Sequence, residues 1–325
     1  MPALDVPLSL LDRSRTRAGE PDALAVRATV ERARRAEELG YHRFWVAEHH
    51  AVPGIASGSP AVLAAAVAAR TERIRVGSGG VMLPNHAPLV VAEQFAVLES
   101  LHPGRIDLGL GRSLGFSAPV REALGVTESD PEDFLGDVAA VRAFLGGRGP
   151  VTARPAVASP PPVFVLASGK GLRLAARAGL PVVVGGPVLA FPAALERYRA
   201  EFTAGDGARP YVIASVNVMV AGSRARAAEL LLPDAWAMAA SRATGAFPPL
   251  EPAAAVRERA LTAKQRESVA AFYDQAVHGT PVEVAEELAA LVRRTSADEV
   301  MVTTSTFDRG ELERADAAVA QLFGS

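Results

Sequence analysis

Short apolar runs alternate with amphipathic stretches along most of the chain. Residues 8–11, 44–47 and 74–78 have the length and the β-branched or aromatic content of buried strands. Residues 21–39 instead place their apolar side chains on one face of a helix and arginine and glutamate on the other. Gly40 then follows at the position where helices commonly end. The pattern therefore predicts β-α-β connectivity from the first residues onward.

This alternation continues to the end of the chain. Further strands are predicted at 106–110, 163–166, 181–184, 211–220 and 299–303. Further helices are predicted at 59–70, from 88, and at 134–145, 171–178, 190–202, 281–294 and 309–323. Eight strands alternating with helices, without a domain-breaking linker, predict an α/β fold of the (β/α)₈ TIM-barrel type as one domain over 1–325. A doubly wound parallel sheet is the alternative, and residues 223–275 are expected to form a helical insertion near the seventh strand.

Composition narrows the class of protein. The net charge of −2 is spread without long single-sign runs, so neither nucleic acid nor an anionic membrane is an expected partner. Cysteine is absent, which excludes thiol nucleophiles, thiolate metal sites and disulfides. Charged residues near the N-terminus argue against a secretory signal, and the apolar run 61–69 is too short to span a bilayer. We expect a cytoplasmic globular protein.

The candidate chemistry begins where the second strand ends, at Glu48-His49-His50. A buried strand that delivers titratable groups at its carboxyl end is how barrel enzymes build active sites. Side chains alternate along a strand, so His49 and His50 should face different surroundings. The alternative is a pair of solvated surface histidines. No metal is expected, because neighbouring residues on a strand do not easily converge on one ion and an HExxH motif is absent.

Three other strand ends carry glycines or basic residues. The run 109–115 lacks the spacing of a dinucleotide-binding loop, but Arg112 could grip a phosphate there. Ser168, Gly169 and Lys170 precede a helix and could form an anion site, although the loop is too short for a P-loop. Ordinary turns remain the alternative for both segments. Residues 77–84 could approach a flat ring closely, and His86 could line the same barrel mouth.

Together these segments resemble the bacterial luciferase-like flavin-dependent monooxygenase family, in particular its alkanal-monooxygenase-like, single-gene subgroup. The similar segments are FWVAEHH, GSGGVMLPNHAP, AEQFAVLESLHPGRIDLGLGR and PPVFVLAS…ARAGLP. The likeness extends from the first strand to about residue 184 and returns at DEVMVTT.

The resemblance implies a reduced-FMN-dependent monooxygenase that oxidises a small organic substrate, such as an aldehyde or a biosynthetic intermediate, with O₂ through a flavin C4a-(hydro)peroxide. A separate NAD(P)H:flavin reductase would supply the reduced FMN in a transient encounter. The barrel would be a homodimer joined through its second and third helices. Rival expectations are an F420-dependent oxidoreductase that transfers hydride and a non-catalytic flavin-binding protein.

The resemblance also assigns roles to residues. His49 is the expected catalytic histidine, with Glu48 as a candidate for orienting it. Gly79 and Gly80 would form a non-proline cis peptide beneath the flavin ring, and Arg112 with Ser168, Gly169 and Lys170 would bind its phosphate. His50 and His86 are the candidates for the substrate pocket. Many relatives carry a second phosphate arginine where this chain has 134–136, Phe-Leu-Gly, and Lys170 is the hypothesised substitute.

Overall fold

Eight parallel strands close into a barrel in the computed structural model, which describes residues 4–204 and 209–324. Around the barrel the order is β1, β10, β7, β6, β5, β4, β3, β2. The barrel strands are β1 Leu8–Asp12, β2 Arg43–Val46, β3 Arg75–Met82, β4 Ile106–Gly111, β5 Val163–Leu166, β6 Val182–Gly185, β7 Val212–Val216 and β10 Glu299–Val302. Two further strands, β8 Val218–Val220 and β9 Val277–Gly279, form a separate parallel pair. The predicted (β/α)₈ barrel is confirmed.

Helices surround the barrel and cover its outer surface. They are α1 Asp22–Glu38, α2 Pro60–Ala68, α3 Pro88–Leu101, α4 Ala118–Leu124, α5 Pro131–Leu145, α6 Lys170–Arg177, α7 Pro192–Ala200, α8 Arg224–Thr244, α9 Ala253–Arg257, α10 Ala263–Gln275, α11 Pro281–Thr295 and α12 Arg309–Ala320. Of these described helices, none combines the length and the apolar character needed to cross a bilayer.

Alternation along the strands explains the two layers of core. In β2, Phe44 and Val46 point outward into the large core between strands and helices, and Trp45 points into the barrel. The barrel interior is filled by apolar side chains from several strands: Leu11, Trp45, Phe164, Val183, Ile213 and Met301. The barrel is therefore a packed core and not a pore.

A charged layer closes the interior at the amino-terminal end of the strands. Arg43 donates to Asp107 at 2.7 Å and to Glu299 at 3.0 Å, and all three side chains are buried. Trp45 Nε1 donates to Asp107 at 3.1 Å, and Tyr211 donates to Glu299 at 2.8 Å. Because each buried carboxylate has several donors, this layer meets the requirement that buried charges be paired and hydrogen-bonded.

The structure differs from the predicted elements in two places. The single strand predicted at 211–220 is divided at Asn217, because β7 stays in the barrel while β8 leaves it to pair with β9. Helix α4 was not predicted. None of its side chains is buried, so it lacks the apolar stripe by which a sequence marks a helix.

The predicted helical insertion lies where expected, after the seventh barrel strand. Helices α8, α9 and α10 occupy 224–275 and pack against one another. Helix α8 brings Asp234 and the loop after it brings Phe247, and both are buried. The insertion therefore contributes side chains to the region beside the loops that follow β1 and β2.

Candidate active site

Strand pairing brings the predicted site segments to one edge of the barrel. Val46 of β2 lies opposite Ser78 of β3, so residues 48–50, which follow β2, lie at the level of residues 79–80 in the last part of β3. Met82 lies opposite Gly111, which places Arg112 beside the end of β3. Strand β5 pairs next to β4 and leads to residues 168–170. The candidate residues thus follow four adjacent strands at the end where TIM-barrel enzymes carry their active sites.

His49 lies among aromatic rings. Its imidazole stacks on Phe116 with a centroid distance of 5.6 Å and an interplanar angle of 8°, and it meets the edge of Phe247 at 6.1 Å. Its backbone N–H donates to the carbonyl of Ser57 at 2.9 Å. Nδ1 of the ring is buried and has no hydrogen-bond partner among the described residues. The backbone is therefore anchored by a hydrogen bond, while the ring is held by its aromatic neighbours.

The surroundings keep this imidazole uncharged near neutral pH. Burial, together with the positive charges of Arg13 and Arg15, lowers the pKa of His49 to about 3. A solvated imidazole titrates near neutrality, and His49 differs because it is partly buried and the first loop supplies two guanidinium groups. At pH 7 His49 is therefore a neutral imidazole, with one N–H donor and one weakly basic nitrogen.

Glu48 does not orient His49. Oε1 of its buried carboxylate accepts from Nε2 of His50 at 2.5 Å and from Nε2 of His86 at 2.7 Å. Oε2 accepts from the backbone N–H of Met82 at 2.8 Å. Glu48 thus joins the β2 loop to the end of β3, which corrects the sequence-based suggestion that it positions the catalytic histidine. The two histidines contact different groups, as strand alternation predicted.

These contacts set the protonation of the Glu48 cluster. Burial alone would raise the pKa of Glu48, but the hydrogen bonds from His50, His86 and the Met82 amide outweigh it and lower the pKa to about 2. The hydrogen bond to Glu48 raises the pKa of His86 above its ordinary value, against the opposing effect of burial. Glu48 is therefore an anion near neutral pH, held between two imidazoles.

Glu48, His50 and His86 also satisfy one criterion for a metal site, because one ligand atom from each lies within 4.8 Å of the others. This group was not predicted, because Glu48 and His50 are not successive residues and His86 comes from another loop. The hydrogen bonds described above already account for the three side chains. The expectation that the site works without a metal stays a prediction.

A cis peptide joins Gly79 to Gly80, as the family resemblance implied. A Cβ atom on Gly79 would lie 2.6 Å from Leu11 Cδ1, and one on Gly80 would lie 2.8 Å from the carbonyl oxygen of Gly109. Close approach of the Gly109 backbone therefore requires glycine at position 80, whereas at position 79 the obstacle is the movable end of the Leu11 side chain. This packing accounts for Gly80 before any ligand is considered.

A cavity of about 200 Å³ lies between the ends of β4 and β5. Its polar lining comes from Arg112, Ser113, Ser168 and Lys170, at the N-terminus of α6. Gly169 precedes this helix with φ of +50°, in the left-handed region that favours glycine. Phe134 and Leu135 line the same cavity, which places the substituted arginine position where the resemblance implied. One guanidinium, one ammonium, two hydroxyls and a helix N-terminus make a donor set that fits a phosphate.

Comparison with known proteins gives the family. The sequence model of the luciferase-like monooxygenases matches residues 7–299. The chain belongs to this family. YvbT of Bacillus subtilis (strain 168), a protein of uncharacterised function, is 36% identical over 328 residues, covering 98% of this chain and 97% of its own. A luciferase-like monooxygenase of Escherichia coli (strain K12) is 36% identical over 312 residues, covering 93% and 92%.

Another luciferase-like relative is known by its substrate. The N-acetyl-S-alkylcysteine monooxygenase of Bacillus subtilis (strain 168) is 53% identical over 108 residues, which are 33% of this chain and 32% of that protein. The family is one of monooxygenases, and so of oxidoreductases. The match to this relative covers only a third of either chain.

Solved structures agree with the luciferase-like fold. Apo-MsnO8 superposes with a TM-score of 0.85 at 31% identity, covering 98% of both chains. The oxygenating constituent of 3,6-diketocamphane monooxygenase of Pseudomonas putida, in complex with FMN, has a TM-score of 0.71 at 16% identity, covering 98% of both chains. An F420-dependent secondary alcohol dehydrogenase has a TM-score of 0.72 at 16% identity, covering 99% and 93%. The last two comparisons show the shared fold alone.

Several residues of this luciferase-like site were not predicted from the sequence. They are Arg13, Arg15, Phe116, Asp234 and Phe247, which surround His49. Phe116 precedes the unpredicted helix α4, and Phe247 lies within the insertion, so sequence separation concealed their proximity to His49. Arginines occupy the alternate positions 13, 15 and 17, and this pattern could have indicated a cluster of positive charge after the first strand.

Proposed function

We propose that this protein is a two-component monooxygenase that uses reduced FMN and O₂ to oxidise a small organic substrate. The observation that carries the proposal is the position of His49, an uncharged, half-buried imidazole at the carboxyl edge of the barrel, whose Nδ1 has no hydrogen-bond partner among the described residues. A neutral hydrogen-bonding imidazole flanked by two aromatic rings suits oxygen chemistry, which needs a largely apolar site. Membership of the luciferase-like family supports the same reaction class.

In this proposal the chain binds FMN through the cavity between β4 and β5. Arg112, Ser168 and Lys170 hold the phosphate, with the Gly169 loop and the N-terminus of α6 behind them. The backbone at Gly79 and Gly80 would support the flavin ring. When bound, reduced FMN supplies the electrons with which O₂ is activated.

The protein side chains then control protons and water. His49 offers a neutral hydrogen-bonding imidazole to the reacting atoms, and Phe116 and Phe247 flank its ring. Glu48 holds His50, His86 and the Met82 amide together, which keeps the β2 loop against the end of β3. His50 and His86 are partly exposed and lie on the substrate side of this cluster.

Substrate and partners complete the proposal. An aldehyde or a biosynthetic intermediate fits the family, and the N-acetyl-S-alkylcysteine relative adds S-alkylated thiols as a third class. Reduced FMN would come from a separate NAD(P)H:flavin reductase. The active form would be a homodimer, for which α2 and α3 present exposed apolar side chains.

Equilibrium binding tests the cofactor directly. We would titrate the protein with oxidised FMN, with photoreduced FMN under anaerobic conditions, and with F420. The proposal expects the tightest binding for reduced FMN. Preference for F420, the cofactor of a dehydrogenase with the same fold, would move the protein to hydride transfer.

Turnover separates an enzyme from a flavin store. With a flavin reductase and NADH present, a monooxygenase should consume O₂ faster when its substrate is added, and one oxygen atom from ¹⁸O₂ should enter the product. Aldehydes and S-alkylated thiols are the first substrates to try. A protein that binds FMN but never incorporates ¹⁸O would instead be a flavin-binding protein.

A further inference from the structure

A loosely paired group of charged side chains lies beside His49. Arg13 and Arg15 follow β1, and Asp234 comes from α8. Arg15 is 5% exposed and Asp234 2%, whereas the Arg13 side chain is 22% exposed. Two guanidinium groups and one carboxylate give this group one excess positive charge. We refer to these three residues as the arginine pair and its aspartate.

The contacts within this group are long. Arg15 Nη2 lies 3.4 Å from Asp234 Oδ1, and Arg13 Nη1 lies 4.0 Å from Asp234 Oδ2. Among the described residues, Nε and Nη2 of Arg15 have no hydrogen-bond acceptor and Oδ2 of Asp234 has no donor. Buried polar groups without partners cost free energy, so each one in a folded protein needs an explanation.

Other buried arginines of the same chain are fully engaged. Arg32 holds Asp316 through two hydrogen bonds of 2.8 Å and Asp12 through one of 2.9 Å. Arg43 reaches Asp107 at 2.7 Å and Glu299 at 3.0 Å. The unpaired donors of Arg15 therefore reflect its own surroundings, since Arg32 and Arg43 are also buried in this fold and have carboxylate partners.

The unpaired donors lie at the candidate active site. The Arg15 guanidinium lies 5.3 Å from the centroid of the Phe247 ring, whose edge faces His49 at 6.1 Å. Arg13 donates to Thr303 Oγ1 at 3.1 Å. Because Arg13 is the exposed member of the group, a ligand would enter from its side. An anion there would lie between the solvent and His49, with aromatic rings next to it.

We propose that Arg13 and Arg15 form a subsite for the carboxylate of a small organic acid that is the substrate of this enzyme. The guanidinium fork matches the two oxygens of a carboxylate. Phe116 and Phe247 would hold the apolar part of the acid next to His49. One excess positive charge suits a monoanion, and the aromatic surroundings favour an organic acid over inorganic phosphate. This inference deepens the proposed function, on which it rests, by naming the class of substrate.

The test measures binding without flavin, so it does not depend on turnover. Calorimetry would compare straight-chain carboxylates from acetate to octanoate, the matching methyl esters and inorganic phosphate. We expect one or more acids to bind at least tenfold more tightly than their esters, and phosphate to compete weakly. Equal binding of acids and esters, no binding by any acid, or binding of phosphate as tight as that of the best acid would overturn the subsite.

Substitutions of single arginines show which side chains produce the preference for the acid over its ester. Arg15→Met keeps the length of the side chain and should abolish the preference for the acid over its ester. Arg13→Met alters a partly exposed side chain and should reduce the preference, which keeps the test valid if Arg15→Met does not fold. Arg27→Met, an exposed change on α1, should leave the preference intact. An unaltered preference in Arg13→Met and in folded Arg15→Met would contradict the assignment.

FMN binding by the same proteins separates the two proposals. If FMN does not bind but the acid preference and its loss in the variants are found, the monooxygenase proposal fails and the subsite stands. If FMN binds and supports oxygen incorporation into an uncharged substrate but acids show no preference, the subsite fails alone. Loss of FMN affinity in Arg13→Met would mean that the pair binds the flavin phosphate, which also overturns the subsite.

Discussion

His49 illustrates how a residue acquires its chemistry from distant neighbours. Its pKa falls to about 3 because burial and two arginines of the first loop disfavour the imidazolium. The aromatic rings that enclose it come from the segment before α4 and from the insertion. The same histidine exposed on a surface would titrate at roughly 6.5. The local environment therefore determines which proton-transfer role is available.

Replacing His49 should impair chemistry and spare cofactor binding. We expect His49→Gln to lower the rate of substrate oxidation by on the order of 10²-fold or more, as is usual for loss of a positioned acid–base group. FMN affinity should stay within about twofold, because His49 is not among the residues proposed to hold FMN. Loss of a hydrogen bond to FMN would weaken binding by more than this. Steady-state kinetics and fluorescence titration check the two expectations. His102→Gln, at the opposite end of the strands, should change neither quantity, and full activity of His49→Gln would refute the assignment.

His86 reports on the charge of Glu48. Because the hydrogen bond and charge of Glu48 favour the imidazolium, Glu48→Gln should lower the pKa of His86 from its raised value towards or below the ordinary one. His86 should then lose its positive charge at a lower pH than in the parent protein. Two-dimensional NMR of the imidazole nitrogens measures the change. His102, whose pKa is lowered by burial and Arg105, serves as the internal control.

At the scale of elements, the loops after β4 and β5 form the proposed phosphate site. Two short segments separated by more than fifty residues supply its polar groups, and strand pairing alone brings them together. The apolar start of α5 lines the third side through Phe134 and Leu135. The charge on this cavity therefore depends on Arg112 and Lys170, and each should matter for FMN.

Lysine substitution tests this arrangement with a matched control. Lys170→Ala should weaken FMN binding by about tenfold, since it removes a charged donor to the phosphate at an exposed site. Riboflavin, which lacks the phosphate, should bind equally to both proteins. The sequence contains one other lysine, Lys264 on α10, and Lys264→Ala should bind FMN normally. Unchanged FMN affinity in Lys170→Ala would remove Lys170 from the site.

For the whole molecule, the exposed apolar side chains of α2 and α3 support the proposed dimer. Val90, Val97 and Leu101 recur at intervals of seven and four residues, which places them on one face of α3. Val62 of the neighbouring α2 is 69% exposed. Exposed apolar side chains on two neighbouring helices are consistent with a protein–protein interface.

A charge placed on this surface should dissociate the dimer. We expect Val62→Asp combined with Leu101→Asp to convert the protein to a monomer, because both carboxylates would be desolvated at the interface. Light scattering coupled to size exclusion measures the mass. Val282→Asp makes the same change at a 52% exposed position on α11, on another side of the barrel, and should keep the mass of the parent. An equal mass for all three proteins would contradict this interface.

The sequence by itself determined the order of strands and helices and the positions of several candidate residues. Local patterns suffice for this, because period-two and period-3.6 burial are properties of short segments. Hence the strand leading to Glu48-His49-His50 was predicted, while α4, which buries nothing, was not.

Only the tertiary structure decided what those residues do to one another. Glu48 and His86 are 38 residues apart in the sequence but form a hydrogen bond. Arg15 lies next to Asp234, which belongs to a helix that follows the seventh barrel strand. Protonation and charge pairing depend on such contacts and on burial, which no local pattern encodes. The low pKa of His49, the clamping role of Glu48 and the unpaired donors of Arg15 therefore emerge only when the barrel closes and the insertion packs beside it.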